Sequence, residues 1–318
     1  MSVGGPSQAK APGTNGRIAF TRADPHGNTL VYTANPDGSQ EHLLFPEVAE
    51  QPHWSPDGTQ VDVLHTGAFA ATIVNADTGS FRDLPIQDPV FTCTPTTTEE
   101  QCANTDFSCD TWSPDGSRLA CGAFSGVDPS RSGFYSIRSS DGGDLTLIKS
   151  CPPACGYPGD YSPDGKRLTF FGPDQNDQLR IFVIKLNGSG MTPLTPPGMD
   201  LNDENLGSWS PKGDQILFTA RPEPGHRFAI WVVNTDGSAL HQVPVPFCGG
   251  ALSDPTSVGC PIAGWSPDGT KIVFTHVSSK GRQLNIYTAN ADGSGLFQVT
   301  HNGFRDTFPD WGSRPLST

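Results

Sequence analysis

A pentapeptide returns five times along this chain, and its chemistry leaves few folds open: Trp54-Ser55-Pro56-Asp57-Gly58, Trp112-Ser113-Pro114-Asp115-Gly116, Tyr161-Ser162-Pro163-Asp164-Gly165, Trp209-Ser210-Pro211-Lys212-Gly213 and Trp265-Ser266-Pro267-Asp268-Gly269. A truncated sixth copy begins at Trp311-Gly312. Proline presets φ and glycine takes the positive φ that closes a tight turn, so each copy reads as a strand, a turn and a second strand. The second strands follow at 61–64, 118–121, 167–171, 215–219 and 271–275. Third strands such as 181–184, 230–233 and 286–288 end in a second turn, as in Asn234-Thr235-Asp236-Gly237-Ser238, and a short fourth strand such as 297–300 closes the unit. Four antiparallel strands at a period of roughly 45 to 58 residues is the signature of a β-propeller blade.

The chain ends indicate how the ring closes. After Trp311 no second strand can form, whereas Arg17-Ile18-Ala19-Phe20-Thr21 mirrors Lys271-Ile272-Val273-Phe274-Thr275. The predicted fold is therefore an all-β, six-bladed propeller of four-stranded antiparallel blades, with the last blade closed by N-terminal strands. Closure removes the exposed strand edges of a linear array. One propeller domain is expected over 16–314, after a flexible leader at 1–15 and before a short tail at 315–318.

Composition narrows the function. With 20 Lys+Arg against 33 Asp+Glu the net charge is −13, which disfavours nucleic acid and anionic lipid surfaces. No apolar run is long enough to span a bilayer, so membrane insertion is not expected. Eight cysteines without zinc-like spacing read as disulfides, hence as an oxidising compartment and a secreted, periplasmic or cell-surface protein whose signal peptide has been removed.

The segment Ile286-Tyr287-Thr288-Ala289-Asn290-Ala291-Asp292-Gly293-Ser294-Gly295, followed by Gln298-Val299-Thr300 and Asp306-Thr307-Phe308-Pro309-Asp310-Trp311, resembles the repeat of the TolB propeller family. The resemblance covers about 16–312 and implies a stand-alone propeller without the N-terminal α/β domain of TolB. Similar propellers serve as envelope scaffolds, as domains of prolyl-oligopeptidase-like peptidases and as polysaccharide lyases, so it implies fold more than activity.

In such a meander the first-to-second and third-to-fourth turns share one face, and here they are short and nearly invariant. The opposite, wide face receives every long connection, and insertions gathered on one face mark a binding face. Most cysteines fall there. Cys93 with Cys102, Cys151 with Cys155 and Cys248 with Cys260 pair most simply within their own loops, and Cys109 and Cys121 flank a turn at cross-strand positions.

Carboxylates precede the inner strands at Glu50, Asp106, Asp110, Asp160, Asp203, Glu204 and Asp306. Some could hold Ca²⁺ in or near the central channel, with Glu204 and Asp306 as candidate ligands, although Asp in such places also caps turns. His65 and His276 each stand eleven residues after a blade tryptophan, and Arg22 takes the matching place in the shared blade. The candidate ligand-binding set at the channel mouth is Arg22, Glu50, His65, Glu204, His276 and Asp306. No Gly-x-Ser-x-Gly elbow occurs. The expected function is a monomeric binding or scaffold module that takes a protein or glycan on the wide face. The alternative is a carbohydrate-active enzyme, a polysaccharide lyase or glycosidase, with its site at the channel mouth.

Overall fold

The computed structural model describes residues 13–65, 69–94, 96–103, 105–151, 156–202, 206–251, 258–278 and 283–313. Four of the sheets are antiparallel meanders, each carrying one of the repeat aromatics. The Trp54 sheet runs Ala49–Trp54, Gln60–His65, Phe69–Asn75, Phe81–Pro85. The Trp112 sheet runs Asp106–Trp112, Arg118–Phe124, Gly133–Arg138, Thr146–Ser150. The Tyr161 sheet runs Tyr157–Tyr161, Arg167–Pro173, Leu179–Lys185, Thr192–Pro193. In the Trp209 sheet, Asp200–Leu201 and Ser208–Trp209 both pair with Gln215–Arg221, which is followed by Ala229–Asn234 and His241–Gln242.

The remaining strands form one eight-stranded sheet. It joins the meander Ala263–Trp265, Lys271–Val277, Leu284–Asn290, Phe297–Gln298 to the meander Arg305–Trp311, Ile18–Ala23, Thr29–Ala34, His42–Phe45. Among the described residues a single parallel bridge, Leu284 to Arg305, joins the ladders of the two halves. The N-terminal strand lies antiparallel to the C-terminal one, with Ile18 opposite Trp311 and Arg22 opposite Asp306. Around this seam Gly16 N–H donates to Gly312 O, Gly312 N–H to Arg17 O and the Trp311 indole to Gly16 O, at 2.9, 2.8 and 3.0 Å. The chain is thus an all-β, propeller-like protein stitched shut by its own ends.

The repeat serine and aspartate explain why the turns are nearly invariant. Ser113 Oγ donates to Asp115 Oδ1 (2.6 Å), which also accepts from Ser117 N–H (3.0 Å), while Arg118 N–H donates back to Ser113 Oγ (2.9 Å). Gly116, at φ 69°, takes the left-handed place, and its Cα faces the ring of Pro56 from the preceding turn. Behind the turns the aromatics pack between neighbouring sheets: Trp112 with Ile73 and Leu84, Tyr161 with Phe134, Trp209 with Phe171, Trp265 with Leu217, Trp311 with Val273, and Trp54 with Ala19. Each aromatic is buried, and burying side chains of this size is the main favourable term holding sheet to sheet.

Candidate functional site

Two of the long connections are pinned by disulfides. Cys93–Cys102 and Cys248–Cys260 close their loops and Cys109–Cys121 crosses between paired strands, while of the expected Cys151–Cys155 pair Cys155 lies outside the described residues. In the 85–106 connection, buried Phe91 packs on Phe107 and Tyr135, and Asp88 receives Arg131 at 2.6 Å. Gly126, in the neighbouring 125–132 connection, passes so close that a Cβ there would lie 2.1 Å from Gln101 O, so the position needs glycine.

Of the residues expected at the mouth, the structure joins Arg22 to Asp306. Arg22 Nε and Nη2 donate to the two Asp306 oxygens at 2.6 and 3.0 Å, and its two terminal nitrogens also reach Glu41 at 2.6 and 2.9 Å. Its guanidinium carbon lies 4.5 Å from the Tyr32 ring centroid. Burial opposes the charge on Arg22, but Glu41 and Asp306 outweigh it and raise its pKa. Asp306 is fully buried and accepts from Asn302 as well. A carboxylate with both oxygens on a guanidinium does not fit Ca²⁺, and Glu204, the other candidate ligand, lies outside the described residues. Among the described residues no three His, Cys, Asp or Glu side chains converge as a metal site.

His65 lies 3.2 Å from Glu47 and 3.8 Å from Asp83, with its ring edge-on to Phe45. His276 lies against Phe247, ring centroids 3.9 Å apart, and edge-on to Tyr287; burial, with the nearby charge of Arg227, lowers its pKa to about 4. Glu50 is half-buried on its strand, opposite Leu64.

Inside the ring the inner strands enclose a cavity of about 160 Å³, lined by segments 51–54, 110–112, 158–160, 206–208, 262–264 and 308–310. Bulges shape it: the ladder skips between Glu50 and His53, Cys109 and Thr111, and Pro158 and Tyr161, and Gln51 and Phe308 take positive φ of 53° and 49°. Three carboxylates face the cavity, Asp110, Asp160 and Asp310. Asp310 Oδ2 accepts from Trp54 N–H at 2.8 Å and Asp160 Oδ2 from Trp209 N–H at 3.1 Å, so each fastens its own sheet to the next. Asp110 accepts a contact of 3.5 Å from Ser108 Oγ. Burial, with the charge of Asp106, pushes Asp110 up to about 7. On the neighbouring sheet, opposite His53, buried Asp62 has its pKa raised well above the ordinary range by burial and by the charge of Asp110, and its Oδ1 has no hydrogen-bond partner.

Asp110 and Asp160 belong to the carboxylates that the inner-strand pattern singled out. Asp62 and Asp310 do not. The signal for Asp62 was present: Ala120, Thr169, Leu217, Val273 and Ala19 hold the same place in the other repeats.

A ring of antiparallel meanders around a central cavity defines a β-propeller. The particular propeller is TolB-like in fold: the chain superposes on TolB from Acinetobacter baumannii with a TM-score of 0.68 and 17% identity, over 93% of this chain and 66% of that one. An assigned TolB from Agrobacterium tumefaciens gives 0.60 and 20%, over 95% and 93%. Oligogalacturonate lyase in complex with manganese gives 0.55 and 14%, over 90% and 74%. In sequence, an uncharacterised protein of Agrobacterium fabrum is 28% identical over 229 residues, 72% of this chain and 66% of the relative. The chain thus spans just under two thirds of that relative and of the Acinetobacter TolB. No protein-family model matches.

Proposed function

We propose that the chain is an extracytoplasmic binding module, a six-bladed propeller that takes a protein partner on its wide face. Six blades follow if the eight-stranded sheet counts as two, which suits its single parallel bridge and the six aromatic clusters, one at each boundary between neighbouring meanders. The disulfides fit an oxidising compartment.

The observation that carries the reading is the contrast between faces. One face is built from tight turns braced by their own Ser and Asp. The other has two disulfide-closed loops, 93–102 and 248–260, and, in other connections and at a strand end, exposed apolar side chains, Val48, Leu64, Val127 and Phe304, with ionisable Glu50 and His65. Rigid loops lower the ordering entropy of association, and apolar anchors with a polar rim suit a protein surface. The mutual engagement of Arg22 and Asp306 supports binding over glycan cleavage, because neither presents a charge to a sugar; they brace the rim, and His276, packed on Phe247 and Tyr287, stays neutral.

The test is site-specific photocrosslinking in the source cell, with a photoreactive residue at Leu64 or Val127 on one face and at Thr59 or Ser117 on the other. Discrete adducts confined to the first pair are expected. Adducts only from the turn face would put the site on the wrong side. Release of unsaturated oligosaccharide from polyuronate by the purified protein would replace the reading with the enzymatic one.

A further inference from the structure

Three asparagines in this chain stand directly before glycine: Asn15, Asn187 and Asn302. Such a step is chemically labile, because a glycine nitrogen, with no Cβ beside it, can reach the side-chain carbonyl carbon of the preceding asparagine. The fold closes that route at two of them. Gly16 N–H donates to Gly312 O at 2.9 Å, and both polar atoms of the Asn15 amide engage Asp268, at 3.0 and 3.2 Å. Gly188 N–H donates to Lys185 O at 2.8 Å, and its backbone is so confined that a Cβ would lie 2.6 Å from Ile148 O. At Asn302 the glycine nitrogen is open. Among the described residues Gly303 N–H has no hydrogen-bond partner, the residue is exposed, and nothing lies within 4 Å of where its Cβ would stand. The Asn302 side chain is folded back at the same time: Phe304 N–H donates to its Oδ1 at 2.9 Å, an Asx turn that draws Cγ toward the intervening Gly303 nitrogen. Asn187 makes the same turn, through Ser189 N–H at 3.1 Å, so the state of the glycine nitrogen is what separates the two.

We propose that Asn302 is a site of spontaneous deamidation, and that the modification loosens the seam of the ring. The Gly303 nitrogen gives its proton to a solvent base and bonds to Asn302 Cγ; the bond from Cγ to the side-chain nitrogen breaks, and that nitrogen leaves as ammonia with a proton from water. Water then opens the cyclic imide at either carbonyl, leaving aspartate or isoaspartate. Phe304 N–H, already on Oδ1, faces the negative charge that builds on this oxygen during the attack. The consequence follows from the partner of the lost group. Asn302 Nδ2 donates to Asp306 Oδ2 at 3.0 Å, and Asp306 is fully buried with both oxygens on Arg22. Deamidation replaces that donor with a second negative charge, so a buried carboxylate then faces a like charge across hydrogen-bond distance. The pairing of Ile18–Ala23 with Arg305–Trp311 is weakened as a result. The site does not depend on the wide-face reading, since the reaction needs no partner.

The test is peptide mapping by mass spectrometry, with aspartate and isoaspartate resolved, on the whole protein held folded in mildly alkaline buffer. Asn302 should convert about tenfold faster than Asn187 or Asn15, the factor expected where a hydrogen bond still holds the attacking nitrogen. In denaturant the three rates should converge, because the difference lies in the fold. Gly303→Ala, which the open space accommodates and whose φ lies outside the left-handed region, should slow conversion at Asn302 several-fold without lowering the melting temperature. Asn302→Asp, which installs one of the products, should melt below the unaltered protein at neutral pH. The rate comparison uses unaltered protein, so it stands even if a variant misfolds. Conversion at Asn302 no faster than at Asn187, a lead that persists undiminished in denaturant, or undiminished conversion in folded Gly303→Ala would overturn the site. An Asn302→Asp protein that melts with the unaltered one would overturn its link to the seam.

Discussion

Lys212 stands where four other turns have aspartate, yet the turn keeps its shape because Asp214, two residues on, accepts from Ser210 Oγ at 2.8 Å. The carboxylate, not its position in the pentapeptide, is therefore what the turn requires. Asp115→Ala and Asp214→Ala should each lower stability by about 1–2 kcal/mol, whereas Lys212→Ala should stay within about 0.5 kcal/mol; denaturant melts of the three variants decide it. Burial works against the ionised form of Asp115, but hydrogen bonds from Ser113 and Ser117 outweigh it and hold its pKa below the ordinary value. A lowered folded pKa gives stability that is present above the unfolded pKa and lost as pH falls through the folded one, so these turns loosen only in acid.

Asp62 and Asp110 run the other way. Their folded pKa values are raised, so between the unfolded value near 4 and the value of about 7 for Asp110 the native state holds the extra proton and stability declines as pH rises. Asp62→Asn should raise the melting temperature at alkaline pH and leave it nearly unchanged near pH 4. A uniform shift at both ends would show that ionisation is not the cause. The turn chemistry was legible in the pentapeptide because it is local. The Asp62–Asp110 pair was not, because it arises between two sheets whose contact no single repeat encodes.

At the scale of the element, the edge pairing of Ile18–Ala23 with Arg305–Trp311 carries the buried Arg22–Asp306 pair. Both residues were legible as charged groups, Arg22 in the place that His65 and His276 hold in other repeats and Asp306 among the carboxylates before the inner strands. What pattern alone left out is that they meet: the register sets Arg22 directly opposite Asp306, and the guanidinium consumes both carboxylate oxygens. Removing Arg22 leaves Asp306 buried and uncompensated, so Arg22→Met should destabilise by about 3–5 kcal/mol. Glu41, whose side chain is 32% exposed, is a rim partner, and Glu41→Gln should change stability by under about 1 kcal/mol. Equal effects from the two substitutions in thermal melts would mean that the pair is no more than a surface contact.

At the scale of the molecule, closure decides whether any of these sites exists. The cavity is bounded by segments from 51–54 through 308–310, and Asp310 fastens the last inner strand to Trp54 of the first, so an opened ring loses the Asp110–Asp160–Asp310 arrangement together with the seam. Closure was legible because 17–21 repeats the pattern of 271–275, a likeness that only a shared blade explains. The loops that rim the ring were less so, since their course depends on tertiary anchors such as Phe91. Deleting residues 1–22 removes Ile18, Ala19 and Phe20, all fully buried, along with the ladder to Arg305–Trp311. Burial of the two large side chains alone is worth about 1.5–3 kcal/mol each, and the unpaired edges of both flanking strands add to the loss. Against a typical net stability of about 5–15 kcal/mol, the truncated chain should unfold at much lower denaturant, with a shallower slope if the ring opens before the blades melt. Wild-type midpoint and slope in the truncated protein would show that the N-terminal strand is an accessory to a ring already closed without it.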